Sequence, residues 1–271
     1  MTRIFLLAAS LTLPFLVSGI SLAKDTELSR HFSASSPEPG VELVHDDWSR
    51  ILSAYIVEQN GVNLFSYAGV TAEDRARLGG YIDYLASQKV SSLTGAQQFA
   101  FWTNLYNAIT VAVILDHYPI DSIRDISSGL LKRGPWKKKL VVVDDRELSL
   151  DDIEHEILRP IFKDNRVHYA VNCASIGCPN LQPVAYTGET LDAMLDHAAH
   201  QYINHERGAR IEGGRLVVSS IYKWYTEDFG KDDRGVIDHL LTFADPDLAM
   251  QLETVSRISD YRYDWNLNEP R

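Results

Sequence analysis

The sequence predicts an α+β fold: a central buried helix packed with several other helices on a small antiparallel sheet built from hairpins. Three observations carry that expectation. The segment after Thr94 is apolar on nearly every face, as a helix enclosed by others must be. Two stretches, 140–150 and 209–220, read as strand pairs about polar turns. Helices alternate with these hairpins without the strand–helix–strand rhythm of a parallel sheet.

The chain opens with Arg3, an apolar run from residue 4 to residue 20, and Ser21-Leu22-Ala23 ahead of the charged Lys24-Asp25. A short basic region, an apolar stretch and a small-x-small site are the parts of a secretory signal, so export with cleavage near Ala23 is expected, to the periplasm or outside the cell. The run is about 17 residues and Pro14 interrupts it, which disfavours a membrane anchor. No later stretch is long and apolar enough to be expected as a stable span. Residues 24–44, with Ser33, Ser35, Ser36, Pro37, Pro39 and Gly40, read as a flexible lead-in. A single domain is expected from 45 to 268.

Within it, Trp48, Ile51, Leu52, Tyr55 and Ile56 recur at helical spacing behind Asp46 and Asp47. Thr71-Ala-Glu-Asp74 opens a second helix, and Thr94-Gly-Ala-Gln97 is a capping box that starts the central one. Phe99, Phe101, Trp102, Leu105, Tyr106, Ile109 and Ile114 run through it, and Pro119 ends it. The 140–150 hairpin follows, then a helix from Ser149 to Arg159, capped by that serine. A strand is expected at 166–172, a helix at 189–204, the second hairpin turning at Gly213-Gly214, helices at 222–229 and 236–243, and a last strand at 256–263.

The formal net charge is −11 and becomes about −12 once Arg3 leaves with the signal. Such a chain repels phosphate backbones, so no nucleic-acid partner is expected. Lys132, Arg133, Lys137, Lys138 and Lys139 around Trp136 form a basic cluster, read as a solvated hairpin edge or as a contact with an anionic surface.

Chemistry concentrates in Arg166-Val-His-Tyr-Ala-Val-Asn-Cys-Ala-Ser-Ile-Gly-Cys-Pro-Asn-Leu181, where His168, Cys173, Ser175 and Cys178 crowd a strand end and its loop. A thiol becomes a nucleophile only beside a base or positive charge, and His155 between Glu154 and Glu156 offers a second imidazole. In a period-two strand His168 and Cys173 point to opposite faces, so pairing them requires the strand to end or twist first. Asn104 and Asn107 sit inside the apolar helix, as a buried brace or, for Asn107, as an oxyanion group. Asp228 reads as a backbone cap or as a partner that orients a histidine. In an oxidising compartment Cys173 and Cys178 are also a candidate disulfide. No cofactor or metal is expected, the Cys-x4-Cys spacing being looser than zinc motifs use.

Several motifs in order, Phe101-Trp-Thr-Asn-Leu-Tyr-Asn-Ala108, Tyr118-Pro-Ile-Asp-Ser-Ile-Arg124, Ser149-Leu-Asp-Asp-Ile-Glu-His-Glu-Ile-Leu-Arg159, the loop from His168 to Pro179, and Trp224-Tyr-x-x-Asp-Phe229, resemble the domain of unknown function 547 family. The resemblance spans about 64–229 plus Tyr263-Asp-Trp-Asn-Leu-Asn268. It implies an exported bacterial protein of unassigned activity that retains residues like Asn107, Glu154 and His168 and keeps Cys173 and the following serine more regularly than Cys178, so that Cys173 matters more than Cys178.

Two functions stand open. In the first, a thiol-dependent hydrolase or acyl transferase, Cys173 attacks a carbonyl, His155 or His168 takes the proton, Glu154 orients the imidazole, and Asn107 or the Ser175 amide steadies the oxyanion. In the second, the chain is a disulfide-stabilised binding or scaffold module whose partner is an envelope component or small molecule.

Overall fold

Burial organises this chain around one helix. The structure, a computed structural model, describes residues 26–40, 42–126 and 134–270. Helix α1 (Glu27–Phe32) is followed by α2 (Asp46–Tyr55), the hairpin β1 (Ile56–Gln59) and β2 (Val62–Phe65), and α3 (Ala72–Ala86). The central α4 (Gly95–His117) leads to the hairpin β3 (Val141–Val143) and β4 (Arg146–Leu148) and a π-helical segment, Asp152–Leu158, that runs into α5 (Arg159–Phe162). Short α6 (Val167–Ala170), α7 (Leu191–Ile203), β5 (Ala209–Glu212), β6 (Arg215–Ser219), α8 (Ile221–Trp224), α9 (Asp233–Phe243), α10 (Pro246–Leu252) and β7 (Ile258–Arg262) complete the order.

The fold is α+β, with small sheets made of hairpins, as the patterning predicts. β5 and β6 pair antiparallel, with Gly213 and Gly214 at positive φ in their turn, and β7 joins the other edge of β6 in parallel. α4 starts on the expected box: the Gln97 amide donates to Thr94 Oγ1 (3.3 Å) and the Thr94 amide to Gln97 Oε1 (3.0 Å). Long and apolar enough by composition to cross a membrane, it is instead enclosed by protein. α3, the π segment and α7 pack on it.

Four features depart from the sequence reading. The lead-in contains α1, held because Phe32 is buried edge-on against Trp102 with ring centroids 4.8 Å apart. The β1–β2 hairpin is an addition, turning on Asn60-Gly61 with both residues at positive φ, the conformation this dipeptide favours. The strand at 166–172 is corrected: 167–170 is a turn of helix, and only afterwards does the chain extend. α10 is also an addition, Pro246 standing in its first turn.

Two apolar clusters result. The larger surrounds α4; the smaller joins α7, the β5–β6–β7 sheet, α8 and α9 through Tyr202, Leu216, Tyr222, Phe229 and Ile237. The functional residues collect where these clusters meet.

Candidate functional site

Between the two clusters lies a pocket of about 230 Å³. Cys173, Cys178, His168, His155 and Glu154, all singled out from sequence, line it. Asp151, Tyr106, Tyr225, Tyr263 and the three indoles of Trp136, Trp224 and Trp265 complete its walls. Trp265 packs against each of the other two indoles, at ring-centroid distances of 5.8 Å from Trp136 and 5.5 Å from Trp224.

Helix α6 explains how His168 and Cys173 reach one cavity. A helical turn followed by extended chain removes the strict alternation that would have set them on opposite faces. Buried His168 stacks on Tyr225 (4.1 Å between centroids), and its Nε2 meets Asp228 Oδ2 at 2.7 Å. Arg159 Nε donates to the same carboxylate oxygen at 2.7 Å, and its guanidinium lies over the Tyr225 ring. Burial would raise the Asp228 pKa, but hydrogen bonds from His168 and Arg159 hold it far below the usual carboxylate range. Burial lowers the His168 pKa against the pull of Asp228, so the imidazole is neutral at neutral pH. Asp228 therefore orients a histidine, the reading that its sequence context left second to capping.

Glu154 is buried near Tyr106 and Tyr225, whose phenol pKa values are raised by burial first and by this carboxylate second. It does not brace His168. The π segment carries it beside His155, whose Nδ1 lies 3.8 Å from Glu154 Oε1 and 3.3 Å from Arg159 Nη1. π turns widen a helix and recur at functional sites. Among the described residues of the basic cluster, Lys139 pairs with Asp152 at 2.6 Å; Lys132 and Arg133 lie outside the described residues.

Asn107 is a brace. Its Nδ2 donates to the Ala170 carbonyl (2.9 Å) and its Oδ1 accepts the Asn172 amide (2.8 Å), so both ends of the amide are engaged by backbone. Asn104, one turn earlier, treats Tyr186 in the same way (2.7 and 3.0 Å).

Cys173 and Cys178 form a disulfide with Cα atoms 6.2 Å apart, within the usual span. Closing so short a loop contributes about 2 kcal/mol by chain entropy. Ala174, just after the first sulfur, sits at φ 56°, a left-handed conformation that costs a non-glycine residue roughly 1–2 kcal/mol. Buried Ser175 directs Oγ to Cys173 Sγ (3.3 Å) and to Tyr263 Oη (3.0 Å), and Tyr263 Oη reaches Cys173 Sγ (3.0 Å) and Cys178 Sγ (3.1 Å). Tyr263 arrives on the stretch after β7, which is stitched down by the Ile176 amide to the Asn266 carbonyl (2.9 Å) and the Gly177 amide to the Asp264 carbonyl (2.8 Å).

Fold and site together define an α+β protein whose aromatic pocket combines a disulfide, a carboxylate-held histidine and an acidic wall. Residues 90–203 match the model of the family described as "Protein of unknown function, DUF547". Comparison with curated proteins and with solved structures returns no match. The matched stretch contains Asn107, Glu154, His155, His168, both cysteines and Ser175, whereas Trp224, Tyr225, Asp228, Tyr263 and Trp265 reach the pocket from beyond it.

Proposed function

We propose that the chain is an exported protein of the cell envelope whose resting, oxidised form holds a small organic molecule in the aromatic pocket. The signal-like residues 1–23 support export. The observation that carries the binding reading is the closed Cys173–Cys178 bond in the wall of a cavity that three tryptophans and three tyrosines face. Aromatic walls with a few fixed polar groups are the usual make-up of ligand sites. With the sulfur bonded and both ends of the Asn107 amide engaged, neither Cys173 nor Asn107 is free for acyl transfer.

A second reading, thiol-dependent hydrolysis or acyl transfer once the bond is reduced, is favoured by His168, which Asp228 holds and which lines the same cavity as Cys173. Thiol titration with Ellman's reagent of protein purified from an oxidising compartment separates the two. The binding reading expects no thiol in native or urea-unfolded protein, and binding of indole, by ligand-observed NMR, that Trp224→Ala with Trp265→Ala abolishes. A Cys173 that alkylates rapidly near neutral pH in protein never exposed to reductant would overturn it in favour of the enzyme.

A further inference from the structure

The two sulfurs of the disulfide differ in what surrounds them. Cys173 is partly exposed, whereas Cys178 is 3% exposed. The Cys173 backbone N–H donates to the buried sulfur at 2.9 Å, and the Tyr263 hydroxyl stands between the two sulfurs, 3.1 Å from Cys178 Sγ and 3.0 Å from Cys173 Sγ, which Ser175 Oγ also approaches at 3.3 Å. A third feature lies against the same loop, where Arg207 donates from Nη1 to the Ile176 carbonyl (2.9 Å) and sets a positive charge two residues from Cys178. One sulfur is open to attack, and the other sits where a negative charge would be received.

We propose that Cys173–Cys178 is a reactive disulfide that exchanges with a thiol-bearing ligand entering the aromatic pocket, with Cys173 as the attacked sulfur and Cys178 as the leaving group. The proposal rests on the closed resting state argued above. The incoming thiol gives its proton to the imidazole of His168, which Asp228 holds in place, and its sulfur bonds to Cys173 Sγ. The Sγ–Sγ bond breaks and its electron pair stays on Cys178 as thiolate, received by the Cys173 N–H and the Tyr263 O–H. Exchange speeds up as the leaving thiol becomes more acidic, and hydrogen bonds to the thiolate have that effect. Burial raises the Tyr263 phenol pKa, so the hydroxyl keeps its proton and remains a donor. A second thiol then attacks the ligand sulfur of the mixed disulfide. The ligand leaves as RS–SR, the protein is reduced to a dithiol, and the two protons end on the two cysteines.

The test uses the oxidised full chain with reduced glutathione as the thiol, quenched with N-ethylmaleimide and mapped by mass spectrometry. The expected result is glutathione on Cys173 and maleimide on Cys178, appearing in the native protein at a rate comparable to, or above, that in urea-unfolded protein. Tyr263→Phe should slow opening about tenfold, the loss of one hydrogen bond to a charged group. If that variant does not fold, the site of glutathionylation alone decides. A native disulfide untouched by glutathione while the unfolded chain is reduced would overturn the proposal, as would glutathione found on Cys178. Two free thiols before any glutathione is added would instead overturn the resting state on which it rests, and the proposal with it.

Discussion

Asn107 shows how one amide can do the work of a strand. Inside a helix it forgoes solvent and spends both polar ends on the chain between Ala170 and Asn172, pinning the segment that delivers Cys173. Removing it leaves a buried carbonyl and a buried N–H without their partner, each costing about 1–3 kcal/mol. Asn107→Ala should therefore lower unfolding stability by roughly 2–4 kcal/mol in urea titrations. A variant as stable as the parent would show that the amide holds nothing together. The brace was legible in sequence because an asparagine on an all-apolar helix needs partners. The Asp228–His168 bond was not, because 60 residues separate the two and only packing brings α6 and the turn after α8 together. The tyrosines lining the pocket were hidden for another reason: in a list of aromatic residues a pocket wall and a core residue look alike.

At the scale of elements, periodicity located most helices and both glycine-free and glycine-rich hairpins, from Val141–Val143 with Arg146–Leu148 to Ala209–Glu212 with Arg215–Ser219. It failed where an element is too short to show a period. α6 has four residues, and its β-branched and aromatic neighbours mimic a strand. The helical pattern of 149–159 likewise gives no sign of its π register, because one extra residue per turn moves side chains without changing which are apolar. The stretch after β7 owes its position to Gly177: a Cβ there would lie 2.8 Å from the Asp264 nitrogen and 2.9 Å from its carbonyl oxygen. Backbone cannot yield as a flexible side chain does. Gly177→Ala should cost about 1–3 kcal/mol and push Tyr263 and Trp265 outward. Calorimetry reads the first effect and a red shift of tryptophan emission the second; an unchanged melting temperature and spectrum would mean that the approach is looser than drawn.

For the molecule as a whole, buried imidazoles set the response to acid. Burial pushes His45 down to about 4 against the pull of Asp46, and pushes His239 down to about 4, with His168 adding to the shift and Asp164 opposing it. In the unfolded chain both titrate near the ordinary value of about 6.5. Between those limits the unfolded state binds more protons than the folded one, so stability is full above about 6.5 and falls as the pH drops toward 4. Each group contributes a slope of about 1.4 kcal/mol per pH unit in that window. Urea midpoints should fall steadily from pH 7 to pH 4.5, and His45→Gln should flatten the fall by one group's share. Equal slopes in the two proteins would assign the acid sensitivity elsewhere. Asp228, depressed rather than raised, adds its own loss only below the ordinary carboxylate range.

Tyr263 lies 90 residues after Cys173 in the chain. During synthesis the sulfurs therefore emerge long before the phenol that will cover them, and chains fold from their beginning while their end is still being made. Until the tail arrives, the loop at 173–178 is an open thiol pair beside an unroofed cavity, available to whatever oxidant forms the bond. The later-made stretch around Tyr263 thus reaches the two sulfurs only after both cysteines are already present.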